Sequence, residues 1–253
     1  MATTEMDMQM SRILVIDDDR KSRELLTDYI RAEGLETTSV HDFGHGLKQT
    51  VCEAGQYDLI VLSIILSETS GFEVLKFLRP RFATPVLLLT TRDKKVDGVV
   101  GLEMGADAFM LKPINPRELM AYVRAIFRRT RDHLCGGIER ERIRVGDVEL
   151  DTATRVACHS GEPLHLTPVE FGFLEMLLRS AGDVTTSDQL AEGVLGRALS
   201  PYDRSVSVHM GNLRKKLGHR LGEMERIITV RGRGYIYVNP QEHNFLASGF
   251  GQN

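Results

Sequence analysis

With 253 residues, 42% of them hydrophobic and 26% charged, the chain is long enough for two domains with separate cores and has the composition of a globular protein in water. No apolar run reaches the roughly 18 residues that span a bilayer, and the start MATTEMDMQM lacks the basic stretch and apolar core of an export signal, so the expectation is a cytoplasmic chain with no membrane partner. The net charge is −3, and three scattered cysteines, Cys52, Cys135 and Cys158, argue against a disulfide framework and against a metal-ligand spacing.

The first half alternates strand-like and helix-like stretches. Residues 12–17 are a short apolar strand ending in acids, and residues 20–33 place Leu25, Leu26, Tyr29 and Ile30 at helical spacing before Gly34. A strand over 35–40 and a helix over 43–54 follow. Residues 59–62 are a continuous aliphatic run suited to a central parallel strand, with Ser63 at its carboxyl end. A helix over 71–78 stops near Pro80, and a fourth strand covers 85–90. A fourth helix spans 94–104, a fifth strand 109–111, and a last helix 116–129. Five such units with short links predict a doubly wound five-stranded parallel sheet, whose chemistry collects in the crevice beyond the strand ends.

The stretch YDLIVLSIILSETSGFEVLKFLR resembles the receiver domain of bacterial two-component response regulators. In that family the residue at Ser63 is an aspartate that accepts a phosphoryl group; Pro is usual at Ser67, Asp or Asn at Ser70, and Met or Leu at Ile65. The resemblance makes Asp17 and Asp18 the acid pair for Mg²⁺, Thr90 the hydroxyl that senses the phosphoryl group, Lys112 the lysine that pairs with it, and Phe109 the aromatic switch. It also implies that the bond before Pro113 is often cis. A neutral serine with no base beside it is a poor acceptor, so the expectation is a degenerate pocket without aspartyl phosphorylation. Mg²⁺ would be weak at Asp17 and Asp18, and a sensor kinase is a doubtful partner. The family's dimer face carries ion pairs. Here Gly98 and Tyr122 stand where Arg is usual and Ala108 where Asp is usual, so Val99, Val100, Ala108 and Tyr122, with Glu118 beside them, would form an apolar homodimer face.

Beyond a polar, glycine-bearing stretch, residues 143–150 and 155–166 alternate like short antiparallel strands. Thr167-Pro168-Val169-Glu170 reads as a capping box opening a helix over 168–179. A second helix near 187–195 leads to an amphipathic helix over 203–217, with Val206, Met210, Leu213 and Leu217 facing inward. Ser207, Val208, Gly211, Asn212, Arg214 and Lys215 are expected on the outer face. A hairpin over 227–238 holds Arg231 and Arg233 at its tip. Between Arg204 and Arg233 stand eight basic residues (Arg204, Arg214, Lys215, Lys216, Arg220, Arg226, Arg231, Arg233) against Glu223 and Glu225, a concentrated basic patch in an acidic chain.

DRSVSVHMGNLRKKLG followed by TVRGRGYIY resembles the winged helix-turn-helix effector of the OmpR/PhoB class. The resemblance puts the helix in the major groove and the wing in the minor groove of double-stranded DNA. It makes Arg204, Arg214 and Lys215 phosphate contacts and Asn212 and Val208 base readers. His209, Thr229, Arg231 and Arg233 complete the expected DNA-binding set. The expected organisation is a receiver-like domain over 11–130, a linker over 131–141, a winged-helix domain over 142–240 and a disordered tail over 241–253. The expected function is that of a sequence-specific transcriptional regulator, not an enzyme, with RNA polymerase as a further partner. Two alternatives stay open: a phosphorylation-gated regulator with Ser63 substituted for aspartate, and a receiver-like module that binds a protein or ligand.

Overall fold

The computed structural model describes residues 11–41, 54–67, 69–91, 95–135, 141–200 and 203–240. The chain divides into two compact units, residues 1–128 and 129–253. The helix expected over 43–54 lies outside the described residues apart from Ala54, which opens a single turn, Ala54–Gln56. The expected tail also lies outside them.

In the first unit β1 (Arg12–Ile16), β2 (Glu36–Val40), β3 (Leu59–Ser63), β4 (Val86–Thr91) and β5 (Ala108–Lys112) pair in parallel in the order β2-β1-β3-β4-β5. Strand β3 sits at the centre, and all five of its residues are buried. Burying each of its aliphatic side chains contributes about 1.5–3 kcal/mol. One face of the sheet packs Ile13, Val15, Leu59, Val61, Leu87 and Leu89 with Leu26 and Ile30 of α1 (Arg20–Ala32) and with Leu119, Val123 and Phe127. Helix α2 (Gly71–Leu78) is capped by Ser70, whose hydroxyl accepts from the Phe72 N–H at 3.3 Å. Serine caps about as well as Asp or Asn. Gly71 is required sterically, because a Cβ there would lie 2.3 Å from the Ser63 carbonyl oxygen.

Helix α3 (Lys95–Glu103) precedes β5, and α4 (Pro116–Cys135) follows it. The sequence predicts the end of α4 at residue 129, but its backbone stays helical to Cys135, so residues 131–135 of the expected linker are helical. The physical reason is that no residue between 117 and 135 breaks a helix, and the first strong breaker is the pair Gly136-Gly137.

The second unit opens with an antiparallel sheet of β6 (Arg142–Val145), β7 (Val148–Asp151), β8 (Val156–His159) and β9 (Glu162–Leu164). Helix α5 (Pro168–Arg179) begins with the predicted capping box: Thr167 Oγ1 accepts from the Glu170 N–H at 3.3 Å, and Glu170 Oε2 accepts from the Thr167 N–H at 2.8 Å. Helix α6 (Ser187–Leu190) continues into a wider turn, Ala191–Leu195. Helix α7 (Ser205–Leu217) buries Val206, Met210, Leu213 and Leu217, as its spacing predicts. A two-stranded ribbon, β11 (Arg220–Leu221) and β12 (Met224–Glu225), precedes the wing hairpin β13 (Ile227–Val230) and β14 (Gly234–Tyr237). Strand β10 (Thr185–Thr186) completes that sheet in the order β10-β14-β13.

Candidate functional site

Parallel register brings four polar side chains to one edge of the first unit's sheet. Asp17, Ser63, Thr90 and Lys112 stand at the carboxyl ends of β1, β3, β4 and β5, and the first three are almost fully buried. Lys112 Nζ donates to Asp17 Oδ2 at 2.6 Å and to Ser63 Oγ at 3.4 Å. The same Asp17 oxygen accepts from Ser22 Oγ at 2.7 Å, and its other oxygen accepts from the Asp19 N–H at 3.2 Å. The Ser63 hydroxyl donates to the Ile65 carbonyl at 3.1 Å. Asp18 Oδ2 accepts from the Ser67 N–H in the loop after β3. The Lys112–Pro113 bond is cis.

These donors do not suit Mg²⁺. The ion needs near-octahedral oxygen ligands with carboxylates among them, and only Asp17 and Asp18 supply carboxylates here. Asp17 already holds a lysine, a hydroxyl and an amide, and among the described residues no group of three acidic, His or Cys side chains could hold a metal ion. Ser63 is poorly placed as a nucleophile as well. Its proton points at a backbone carbonyl, which is no base, and its oxygen receives a lysine donor.

Phe109 lies half-buried beside α3. Its ring packs directly on the backbone of Gly98, where a Cβ would meet ring carbons at 2.4–2.8 Å. Of the residues expected to form a dimer face, Val99, Ala108 and Tyr122 are half-buried, while Val100 and Glu118 are exposed. Val96 on the same helix is 74% exposed, and the sequence reading missed it.

In the second unit the basic patch separates into two sets. Arg204, Lys215, Arg220, Arg231 and Arg233 are exposed. The other three are held by partners within the unit, Arg226 buried, Arg214 half-buried and Lys216 at the surface. Lys216 Nζ binds the buried Glu170 carboxylate at 2.6 Å, so the acid of the capping box also ties α7 to α5. Arg226 is 2% exposed and donates to both oxygens of Asp147 at 2.5 and 2.9 Å and to the Tyr237 hydroxyl at 3.0 Å. The hydrogen bond from Arg226 draws the Asp147 carboxyl down to about 2. Burial pushes the Tyr237 phenol up. Arg214 is bound to the wing: Nη2 donates to the Ile227 carbonyl at 2.7 Å and to Thr229 Oγ1 at 2.7 Å.

Two members of the expected DNA-binding set are buried in the second unit. His209 is 1% exposed and meets the Phe173 ring edge-on, with centroids 5.8 Å apart, and Asn212 is 7% exposed. The buried stripe of α7 is wide: it takes in His209, which meets Phe173 of α5, and Asn212 as well as 206, 210, 213 and 217. The exposed residues are Arg204, Ser207, Lys215 and Lys216, with Val208, Gly211 and Arg214 half-buried beside them. No atom lies within 4 Å of a Cβ built on Gly211. Gly211→Ala is therefore expected to stabilise the second unit by about 0.5–1 kcal/mol through helix propensity, read as a rise in its urea midpoint. A fall would show that the position is strained.

The pairs Arg226–Asp147 and Lys216–Glu170, each with one buried member, carry no pairing signal in the sequence, because their members are 79 and 46 positions apart.

Comparison with known proteins follows the same division. Residues 13–124 match the response regulator receiver domain family, and residues 161–237 match the family of C-terminal domains of transcriptional regulatory proteins. The chain is 36% identical over 233 residues to the transcriptional regulatory protein CpxR of Klebsiella pneumoniae, covering 91% of this chain and 99% of the relative. It is 38% identical over 230 residues to the DNA-binding response regulator MtrA of Mycolicibacterium smegmatis, covering 91% and 98%. A solved structure of a RitR mutant is similar in fold, with a TM-score of 0.71 at 24% identity over 90% of this chain and 98% of that one.

Proposed function

This chain belongs to the OmpR/PhoB-type response regulators and is a DNA-binding transcriptional regulator; we propose that its DNA binding does not wait for aspartyl phosphorylation at residue 63. The observation that carries this reading is the Lys112–Asp17 contact of 2.6 Å, with Ser63 Oγ 3.4 Å from the same ammonium. By the family resemblance, Lys112 is the cation that a phosphoryl group would recruit, and here a buried carboxylate neutralises it. The carboxylate nucleophile is replaced by a hydroxyl whose proton is held by the Ile65 carbonyl. A third acidic ligand for Mg²⁺ is missing, and phosphoryl transfer relies on that metal to neutralise developing charge.

A second copy of the chain is the natural partner of the first unit. The half-exposed apolar positions Val99, Val100, Ala108 and Tyr122 support pairing through α3, β5 and α4 without the ion pairs usual there. A sensor kinase has no carboxylate acceptor at residue 63 on which to act. RNA polymerase is the partner through which a DNA-bound effector of this type would regulate transcription.

The test is intact mass and DNA affinity of the full chain after incubation with acetyl phosphate and Mg²⁺, beside a relative with aspartate at this position. The relative is expected to gain about 80 Da, while this chain keeps its mass and its affinity for DNA. A hydroxylamine-labile adduct on this chain, with a matching change in affinity, would overturn the proposal.

A further inference from the structure

The geometry points to Arg214 as a positioning residue that locks the wing to the recognition helix, and not as a phosphate contact. The inference rests on the DNA-binding role of the second unit and is independent of the phosphorylation state of the first. Arg214 lies in the last turn of α7, and its guanidinium reaches across to both strands of the wing. Nε and Nη2 donate to the Ile227 carbonyl at 3.2 and 2.7 Å, and Nη2 also donates to Thr229 Oγ1 at 2.7 Å, both on β13. Its carbon Cζ stands 5.6 Å from the centroid of the Tyr235 ring on β14, within cation–π range. Glu225 lies 3.9 Å away and offsets part of the charge.

These partners use the guanidinium as a planar fork. Its side chain is 19% exposed, whereas Lys215, Arg231 and Arg233 stand free in solvent. These contacts take up Nε and Nη2, so three of the five N–H donors serve the wing and only Nη1 is left over. What Arg214 fixes is the angle between α7 and the β13–β14 hairpin. That angle decides whether the helix can sit in one groove while Arg231 and Arg233 at the tip reach the next, because the two elements must engage the duplex together. Lysine cannot take over, since one ammonium lacks the flat fork that serves the Ile227 carbonyl, the Thr229 hydroxyl and the Tyr235 face at once.

Duplexes enriched from a random pool by the wild-type full chain provide the probe, with scrambled duplexes as reference. Arg214→Ala is expected to weaken binding roughly ten- to a hundredfold, in line with the loss of charge-assisted hydrogen bonds. Arg214→Lys should be as weak as Arg214→Ala. Thr229→Val, which removes no charge, should reproduce part of the loss. The deciding measurement is a cycle with Arg231→Ala. If Arg214 acts through the wing, adding Arg231→Ala to Arg214→Ala costs little more, whereas independent phosphate contacts give losses that multiply. Multiplying losses together with rescue by Arg214→Lys would overturn the proposal. If Arg214→Ala does not fold, the Lys and Thr229→Val variants, checked by circular dichroism, and the cycle run with Arg214→Lys decide it alone. A wild type that enriches no duplex would count against the DNA-binding role itself and would remove this proposal with it.

Discussion

Asp147→Ala is expected to destabilise the second unit by about 3 kcal/mol, the low end of the range for breaking a buried ion pair. The low end applies because the Asp147 side chain is 31% exposed, while its partner Arg226 is 2% exposed. Removing the carboxylate leaves a guanidinium in the interior with neutral partners alone, the Tyr237 hydroxyl, the Arg220 carbonyl and the His159 ring nitrogen. Urea unfolding followed by circular dichroism measures the loss. The double variant Asp147→Ala, Arg226→Met should recover most of it, because an apolar side chain of similar volume suits the site. A single variant that unfolds within about 0.5 kcal/mol of wild type, the size of an ordinary surface change, would show that Arg226 is not held by this pair.

The same pair sets an acid dependence. Its carboxyl is drawn down to about 2 by Arg226, below the value of about 3.9 expected in an unfolded chain. A group lowered in this way contributes stability that is fully present above about pH 4 and is lost as pH falls through about 2. The wild type should therefore lose more stability between pH 4 and pH 2 than the double variant does.

Gly234→Ala is expected to damage both stability and DNA binding. A Cβ at this position would lie 2.1 Å from the Thr185 carbonyl oxygen and 2.7 Å from the Thr186 Cα. Both are backbone atoms of β10, so no rotamer change relieves the clash and β14 must move off β10. Overpacking of this kind costs about 1–3 kcal/mol. The neighbouring bond from the Ser187 N–H to the Arg233 carbonyl, 3.0 Å long, would loosen with it. Since Arg231 and Arg233 ride on this hairpin, affinity for enriched duplexes should fall even at temperatures where the variant is fully folded. Unchanged affinity in a folded variant would show that the tip finds DNA without a fixed base.

Much of the fold was legible because its signals are local. The aliphatic run at residues 59–62 required a central strand, and β3 is buried throughout. Thr167 and Glu170 lie three residues apart, so the capping box was visible as a pattern and formed as one. The spacing of Val206, Met210, Leu213 and Leu217 identified the inward face of α7. Ser63 at the end of a buried strand is likewise a fact of the chain, and it was enough to question phosphoryl chemistry before any distance was known.

Other properties depend on what crosses from distant parts of the chain. The sequence shows eight basic residues between 204 and 233 and treats them alike. Tertiary structure removes Arg226 to Asp147 and Lys216 to Glu170, and turns Arg214 onto the wing. Asn212 looks exposed by helical periodicity alone, yet it is buried, since the width of a buried stripe is set by the tertiary surroundings of the helix. At the strand ends the sequence supplies Asp17, Ser63 and Lys112, but only parallel register brings residues 95 positions apart to within 2.6 Å. Periodicity within a segment determines which elements form; the pairing of charges depends on long-range contacts, and those contacts decided which of the candidate residues are available to act.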